Sequence, residues 1–140
     1  KQWPRALQEL QLMHLHAIKA DIFTYNMAIS ACDRAQRWEA AVSILHMLWP
    51  SHIRPDVITF NSVITACAKR LAWDRVTLLL QAMQFCSVQA DVMTYGVVAG
   101  VCEKHGCWET AMAFLREIEQ CGLRPTVIMY STVISACEKG

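Results

Sequence analysis

The chain has 140 residues, of which 54% are apolar, and its formal net charge at neutral pH is only +1. This length is that of one ordinary domain, and the sequence contains no apolar run long enough to cross a membrane, so no membrane partner is expected. The near-neutral charge gives no general case for a polyanionic partner, and any such case depends on where the charges lie.

Three residue types recur along the chain with a single period of 35 residues. Independent residue types on one period predict a repeat protein rather than a globular domain. Repeat arrays are commonly binding surfaces, because each unit packs only on its neighbours and presents the same face again. The recurring positions are Trp3, Trp38, Trp73 and Trp108; Cys32, Cys67, Cys102 and Cys137; and Tyr25, Phe60, Tyr95 and Tyr130.

The period divides the chain into three complete units, residues 22–56, 57–91 and 92–126. Residues 1–21 correspond to the second helix of an earlier unit, and residues 127–140 correspond to the first helix of a later one. Both ends fall inside a unit, so we expect the chain to be an internal segment of a longer array.

The first helix of each unit is predicted to begin after an acidic or hydroxyl residue. Asp21, Asp56 and Asp91 each precede an apolar segment with helical periodicity, which is the signal of a helix N-cap. Apolar residues then fall at i, i+3, i+4 and i+7, the spacing of one helix face. In the first complete unit this face is Tyr25, Ala28, Ile29 and Cys32.

The second helix of each unit is predicted to begin near the recurring tryptophan. Pro50 is expected to end one of these helices at or before Trp49, and Pro55, Gly122 and Pro125 indicate turns between units. No alternating strand pattern accompanies the helices, so the predicted fold class is all-α. The apolar positions of the first such helix are Trp38, Ala41, Val42, Leu45 and Leu48.

A polar stripe is expected on the side of the first helix opposite the core. The fifth, ninth and thirteenth residues of a unit share one side because they lie four residues apart. The fifth is Asn26, Asn61, Gly96 and Ser131 in successive units, and acidic residues are expected to lie mainly elsewhere, on second helices and at unit ends. The thirteenth is basic in every unit and forms a basic row, Arg34, Lys69, Lys104 and Lys139.

Regularly spaced cations beside amide groups suit a polymer with regularly spaced anions and accessible base edges. Single-stranded RNA is such a polymer, and it is the partner that this stripe predicts.

The units resemble pentatricopeptide repeats of the class with uniform 35-residue (P-type) units. The resemblance rests on the period, on the basic residue two places after Cys67, and on segments 56–61 and 124–131, which are similar to that family's unit junction. It covers the whole chain. It implies an α-solenoid of stacked helix-turn-helix repeats that forms a right-handed superhelix.

The resemblance further implies that each unit reads one RNA base with its fifth and last residues, while its second residue stacks on the bases. A pair of Asn and Asp favours uracil in that family, since an amide both donates and accepts while a carboxylate orients it. The implied base-recognition residues are Asn26 with Asp56, Asn61 with Asp91, and the unpaired Ser131 and Asp21. The implied stacking residues are Phe23, Ile58, Met93 and Ile128, and the basic row would contact phosphates.

Unit 92–126 departs from this pattern. Gly96 has no side chain to read a base, and Thr126 replaces the acid. No base is therefore assigned to this unit.

Each position also has a simpler structural explanation. Asp56 and Asp91 can serve only as N-caps, although capping and base recognition can coexist. Asn26 and Asn61 can be ordinary solvated residues, and the basic row can reflect the favourable placement of cations near helix C-termini. The recurring tryptophans and cysteines are predicted to pack in the core or between units.

Catalysis has little support in the sequence. Zinc would need close pairs such as Cys-x-x-Cys, and the nearest grouping, Cys102, His105 and Cys107, has irregular spacing. We therefore expect no metal, no cofactor and no small-molecule substrate. Any reaction would belong to another domain or to a recruited processing enzyme.

The resemblance implies sequence-selective binding of single-stranded RNA in a chloroplast or mitochondrion, in support of RNA processing, stability or translation. The alternative is a protein-binding scaffold of the related tetratricopeptide type, whose period is usually one residue shorter.

Overall fold

The computed structural model describes residues 2–140, which form eight helices and no strand. First helices and second helices alternate, and the helices of each kind start 35 residues apart along the chain. The all-α prediction is therefore confirmed. The helices are α1 (Trp3–Leu15), α2 (Ile22–Arg34), α3 (Trp38–Leu48), α4 (Val57–Ala68), α5 (Trp73–Phe85), α6 (Val92–His105), α7 (Trp108–Gln120) and α8 (Val127–Lys139).

The first helices begin where aspartate side chains satisfy the free backbone N–H groups of the first turn. Asp21 accepts a hydrogen bond from the N–H of Thr24 at 2.9 Å, and Asp56 accepts one from the N–H of Thr59 at 2.8 Å. Asp91 caps α6 in the same way. The predicted N-caps are therefore confirmed, and each is worth about 1 kcal/mol.

The second helices begin at the recurring tryptophans, as predicted. Helix α3 ends at Leu48, directly before Trp49 and Pro50, so the predicted effect of the proline is also confirmed. The tryptophans lie between units: the Arg37 guanidinium lies 5.4 Å from the centre of the Trp3 ring. Cation–π contacts of this kind contribute about 0.5–1 kcal/mol at exposed sites.

The first helices stack directly on one another, α2 on α4, α4 on α6 and α6 on α8. Helices α3, α5 and α7 each pack against the first helix of their own unit and of the next unit, and α1 packs on α2; the second helices make few contacts with one another. A cleft of about 440 Å³ accordingly separates α3 from α5. The first helices therefore form one continuous layer of the stack.

The core lies between the first and second helices. The predicted apolar face of α2 is fully buried, and so are the equivalent faces of α4 and α6. Burial raises the pKa of the Cys67 thiol to about 11 and that of Cys102 to about 12, so both remain protonated at neutral pH. The packing role predicted for these cysteines is confirmed.

The equivalent face of α8 differs. Tyr130, Ile134 and Cys137 are exposed, because in other units this face is covered by the second helix of the same unit, and residues 2–140 include no such helix after α8; α8 packs only on α6 and α7. Among these residues, none of the helices has the length and apolar character that a membrane crossing requires.

Candidate nucleic-acid interface

Each predicted Asn and Asp pair is brought together by the stacking of first helices. The Asn26 amide Nδ2 donates to Asp56 Oδ1 at 3.4 Å, and Asn61 Nδ2 donates to Asp91 Oδ1 at 3.1 Å. Each aspartate also caps the following first helix, so one carboxylate holds a helix start and an amide together. The capping role and the pairing therefore coexist at both sites.

A threonine that the sequence analysis did not single out completes each pair. Thr59 Oγ1 lies 2.7 Å from both Asn26 Oδ1 and Asp56 Oδ1, and its single hydroxyl proton is shared between these two acceptors. Thr94 makes the same contacts with Asn61 and Asp91. The available sequence signal was the threonine at the third place after each capping aspartate, where a hydroxyl can close a reciprocal cap.

The aspartates of these pairs are ionised at neutral pH. Partial burial alone would raise the pKa of Asp56, but hydrogen bonds donated by the backbone N–H and hydroxyl of Thr59 and by the Asn26 amide outweigh it. The pKa of Asp56 therefore lies below its ordinary value. Asp91 shows the same balance with Thr94 and Asn61. Both carboxylates act only as acceptors at neutral pH.

The four predicted stacking residues are exposed on the first turns of the first helices. Their exposed fractions lie between 60% and 76%. Each lies three residues before the fifth position of its unit, on the same side of the helix. Phe23 and Ile58 therefore lie one turn from Asn26 and Asn61, respectively.

The basic row lies at the opposite ends of the same helices, and all four of its members are exposed. Arg34, Lys104 and Lys139 occupy last turns, a placement that is also consistent with the helix-dipole explanation of this row. Lys69 is the C-cap residue of α4.

Most acidic residues lie on second helices or at unit ends, as expected, but Asp33 and Glu103 lie directly beside this row. Lys69 Nζ contacts both carboxylate oxygens of Asp33 at 2.8 Å, and Lys139 Nζ contacts Glu103 Oε1 at 3.0 Å. Lys104 has no carboxylate partner within residues 2–140, since Ala68 occupies the place equivalent to Asp33.

Contacts between neighbouring first helices show that the stripe is continuous. Asp33 of α2 meets Lys69 of α4, and the Ser135 hydroxyl of α8 donates to Glu103 of α6 at 2.8 Å. Amides, stacking residues and cations thus lie along one face of the stacked first helices.

Unit 92–126 lacks the amide, the acid and the threonine of these pairs, although it has Met93 and Lys104. A Cβ added at Gly96 would meet nothing within 4 Å, so the place of the amide is open. Thr126 caps α8 by accepting from the N–H of Met129, which takes the place of Thr59 and Thr94. The Ser131 hydroxyl donates to the Val127 carbonyl of its own helix and joins no pair.

Asp21 caps α2 through Thr24, and no amide faces it among the described residues. Its proposed part in base recognition therefore stays a prediction.

Residues 2–140 contain no group of three His, Cys, Asp or Glu side chains placed to hold a metal ion. Cys102 is buried, while the exposed His105 ring contacts the Leu71 carbonyl at 3.1 Å.

The fold of this chain is similar to that of solved pentatricopeptide repeat structures. The pentatricopeptide repeat protein PPR10 from maize, known from a crystal structure, shares 25% sequence identity with this chain, and the two structures superpose with a TM-score of 0.81. The match covers 94% of this chain and 19% of PPR10. PPR10 in complex with an 18-nt psaJ RNA element is 26% identical over 86% of this chain and 18% of that one, with a TM-score of 0.73.

The chain thus spans about a fifth of the length of these relatives. A comparison with curated protein sequences gives no match. The model of the pentatricopeptide repeat domain matches residues 10–70 and 78–139, and that of the PPR repeat matches residues 58–88. The family models cover most of the chain, which therefore belongs to the pentatricopeptide repeat family.

Proposed function

We propose that this segment binds single-stranded RNA with one base per unit and prefers uracil at units 22–56 and 57–91. One observation carries the proposal: two identical pairs, Asn26 with Asp56 and Asn61 with Asp91, lie on the same face as exposed stacking residues and a row of cations. That PPR10 has been solved with an RNA element supports the choice of partner.

The chemistry of the pairs suits a pyrimidine edge. An asparagine amide has two N–H donors and two carbonyl lone pairs. In Asn61 the carboxylate of Asp91 takes one N–H and the hydroxyl of Thr94 takes one lone pair. One donor and one acceptor remain, and uracil offers a complementary N–H and carbonyl oxygens side by side.

The expected affinity is modest. Stacking contributes about 1–3 kcal/mol per base, so two assigned units give roughly 2–6 kcal/mol before ordering costs. This corresponds to dissociation constants no tighter than about the tens of micromolar.

Asn61→Ala is expected to weaken binding of oligouridine more than binding of oligoadenosine, because it removes the group that contacts the base edge. Lys104→Ala should weaken both equally, because a phosphate contact carries no sequence information. Fluorescence anisotropy at fixed salt measures both ratios. Equal affinity of the unaltered chain for oligouridine and oligoadenosine would refute the base assignment.

Neutralising the acids beside the basic row is expected to tighten RNA binding. Combining Asp33→Asn with Glu103→Gln frees two lysines and removes negative charge near the phosphates, with a gain of about two- to fivefold at low salt. Ala68→Asp is the matched control, since it places a carboxylate beside Lys104 and should weaken binding. If neither variant changes the affinity for oligouridine, the phosphate assignment of this row is wrong.

A salt titration separates RNA binding from a protein-binding scaffold. Each phosphate contact in a single strand lowers log K by about 0.7 per decade of salt. A peptide partner need not show such counterion release, so a salt-independent interaction would favour the scaffold.

We also place the whole protein in a chloroplast or mitochondrion, acting on RNA processing, stability or translation with recruited processing enzymes. The family resemblance supports this placement. Imaging of the tagged full-length protein tests the location, and a signal confined to the cytosol contradicts it.

A further inference from the structure

Two buried threonine hydroxyls contact the amides that face the proposed RNA. Thr59 and Thr94 have no exposed surface, and they are the two polar residues buried in the described part of the chain. Their hydroxyls donate to Asn26 Oδ1 and Asn61 Oδ1. A buried hydroxyl is retained at little cost only where it has a partner, and here that partner is the amide together with the capping carboxylate.

The three groups together fix which way each amide points. The ionised carboxylate of Asp91 can only accept, so the amide nitrogen of Asn61 faces it. The amide oxygen then faces the hydroxyl of Thr94, which donates to it. A reversed amide would place its oxygen beside a carboxylate oxygen, about 3 Å away, where two acceptors repel each other.

One junction of the chain lacks these groups and can be compared with the two that have them. Units 22–56 and 57–91 have the amide, the acid and the threonine together, whereas the next junction has Gly96, Thr126 and Met129 in their places. At these three junctions the three groups are present or absent together, although Asp21 and Thr24 form the same cap at the first junction, before α2, with no amide among the described residues. Capping alone does not explain this, because Thr126 still caps α8 without them.

We infer that Thr59 and Thr94 are positioning residues for base recognition, which orient the amides of Asn26 and Asn61 from the buried side. This inference rests on the proposed function. The orientation leaves one amide N–H and one carbonyl lone pair for the base, in a fixed order along its edge. Without the hydroxyl, the carbonyl oxygen loses its partner and the amide rotates more freely, so discrimination between bases falls.

The test compares selectivity, defined as the ratio of the dissociation constants for oligoadenosine and oligouridine. Thr59→Val with Thr94→Val keeps the side-chain shape and removes both hydroxyls. Each lost hydrogen bond is expected to lower this ratio by about two- to tenfold. Thr59→Ser with Thr94→Ser retains the hydroxyls and should preserve the selectivity of the unaltered chain.

Thr24→Val is the matched control for capping. The Thr24 hydroxyl donates to the capping carboxylate of Asp21 at 2.7 Å, as Thr59 does to Asp56, but it contacts no amide among the described residues. Its removal should lower the thermal stability while leaving the selectivity unchanged. A merely structural role for Thr59 and Thr94 predicts the same behaviour from the double valine variant.

The outcomes separate the two claims. If the unaltered chain prefers oligouridine and the folded valine variants keep that preference, the positioning role is wrong while the proposed function stands. If the unaltered chain shows no preference, the proposed base recognition fails first and the positioning role fails with it. Circular dichroism confirms folding at the assay temperature, and the single variants Thr59→Val and Thr94→Val replace the double variant if it melts.

Discussion

Replacing Phe60 by alanine is expected to lower the free energy of unfolding by about 3–5 kcal/mol. The Phe60 side chain is 0% exposed and lies on α4, which packs against α2, α3, α5 and α6. Removing it leaves a cavity in the middle of the stack, and the helices of both neighbouring units lose packing contacts. Small domains have a total stability of about 5–15 kcal/mol, so the loss is a large fraction.

Urea unfolding followed by far-ultraviolet circular dichroism measures this change. Phe23→Ala makes the same chemical change at a residue that is 68% exposed, and it should alter the stability by no more than about 0.5 kcal/mol. Equal losses in the two variants would contradict the assignment of Phe60 to the core and Phe23 to the surface. The denaturant dependence should be compared as well, because repeat arrays can unfold unit by unit.

The sequence predicted the helices well because the same constraints recur in every unit. A helix start signalled by Asp56 alone would be weak evidence, but Asp21 and Asp91 repeat the signal at the same place. The buried faces were predictable for the same reason, since Ile29 and Ile64 occupy equivalent places in their units and both are buried. Repetition thus replaced the comparison of related sequences that such a prediction normally needs.

The turns were less predictable. Ala17, His52 and Ser87 adopt positive φ at the place equivalent to Gly122. Only the glycine signals this conformation in sequence, because residues with a side chain adopt it at a cost of about 1–2 kcal/mol. The packing of consecutive helices imposes the turn, and that packing cannot be inferred from the local sequence of His52 or Ser87.

The contacts between units were missed for a related reason. Asp33 and Lys69 are 36 residues apart, and Thr59 and Asn26 are 33 apart. Both separations differ from the period of 35 residues, so an alignment of the units never places these residues at equivalent positions. Only the geometry of one first helix stacked on the next shows that they meet. The pairing of each amide with an acid was predicted, but the threonine contacts and the ion pairs of the basic row were not.

Truncating the four stacking residues is expected to have the largest effect on RNA binding. We expect the combination Phe23→Ala, Ile58→Ala, Met93→Ala and Ile128→Ala to raise the dissociation constant for oligouridine by more than about thirtyfold. Losing the stacking of even two bases removes roughly 2–6 kcal/mol. The fold should persist, because each of these side chains is at least 60% exposed. The residual binding should depend on salt as a contact of cations with phosphates does.

A control variant with truncations on the second helices distinguishes base stacking from general adhesion to exposed apolar surface. Other large apolar residues are also exposed but lie on the second helices α1, α5 and α7: Leu15, Leu78, Phe85 and Met112. Their replacement by alanine should leave the affinity for oligouridine unchanged. If this control weakens binding as much as the first variant, the RNA does not follow the first helices. Amides, stacking residues and cations on that face would then need another explanation.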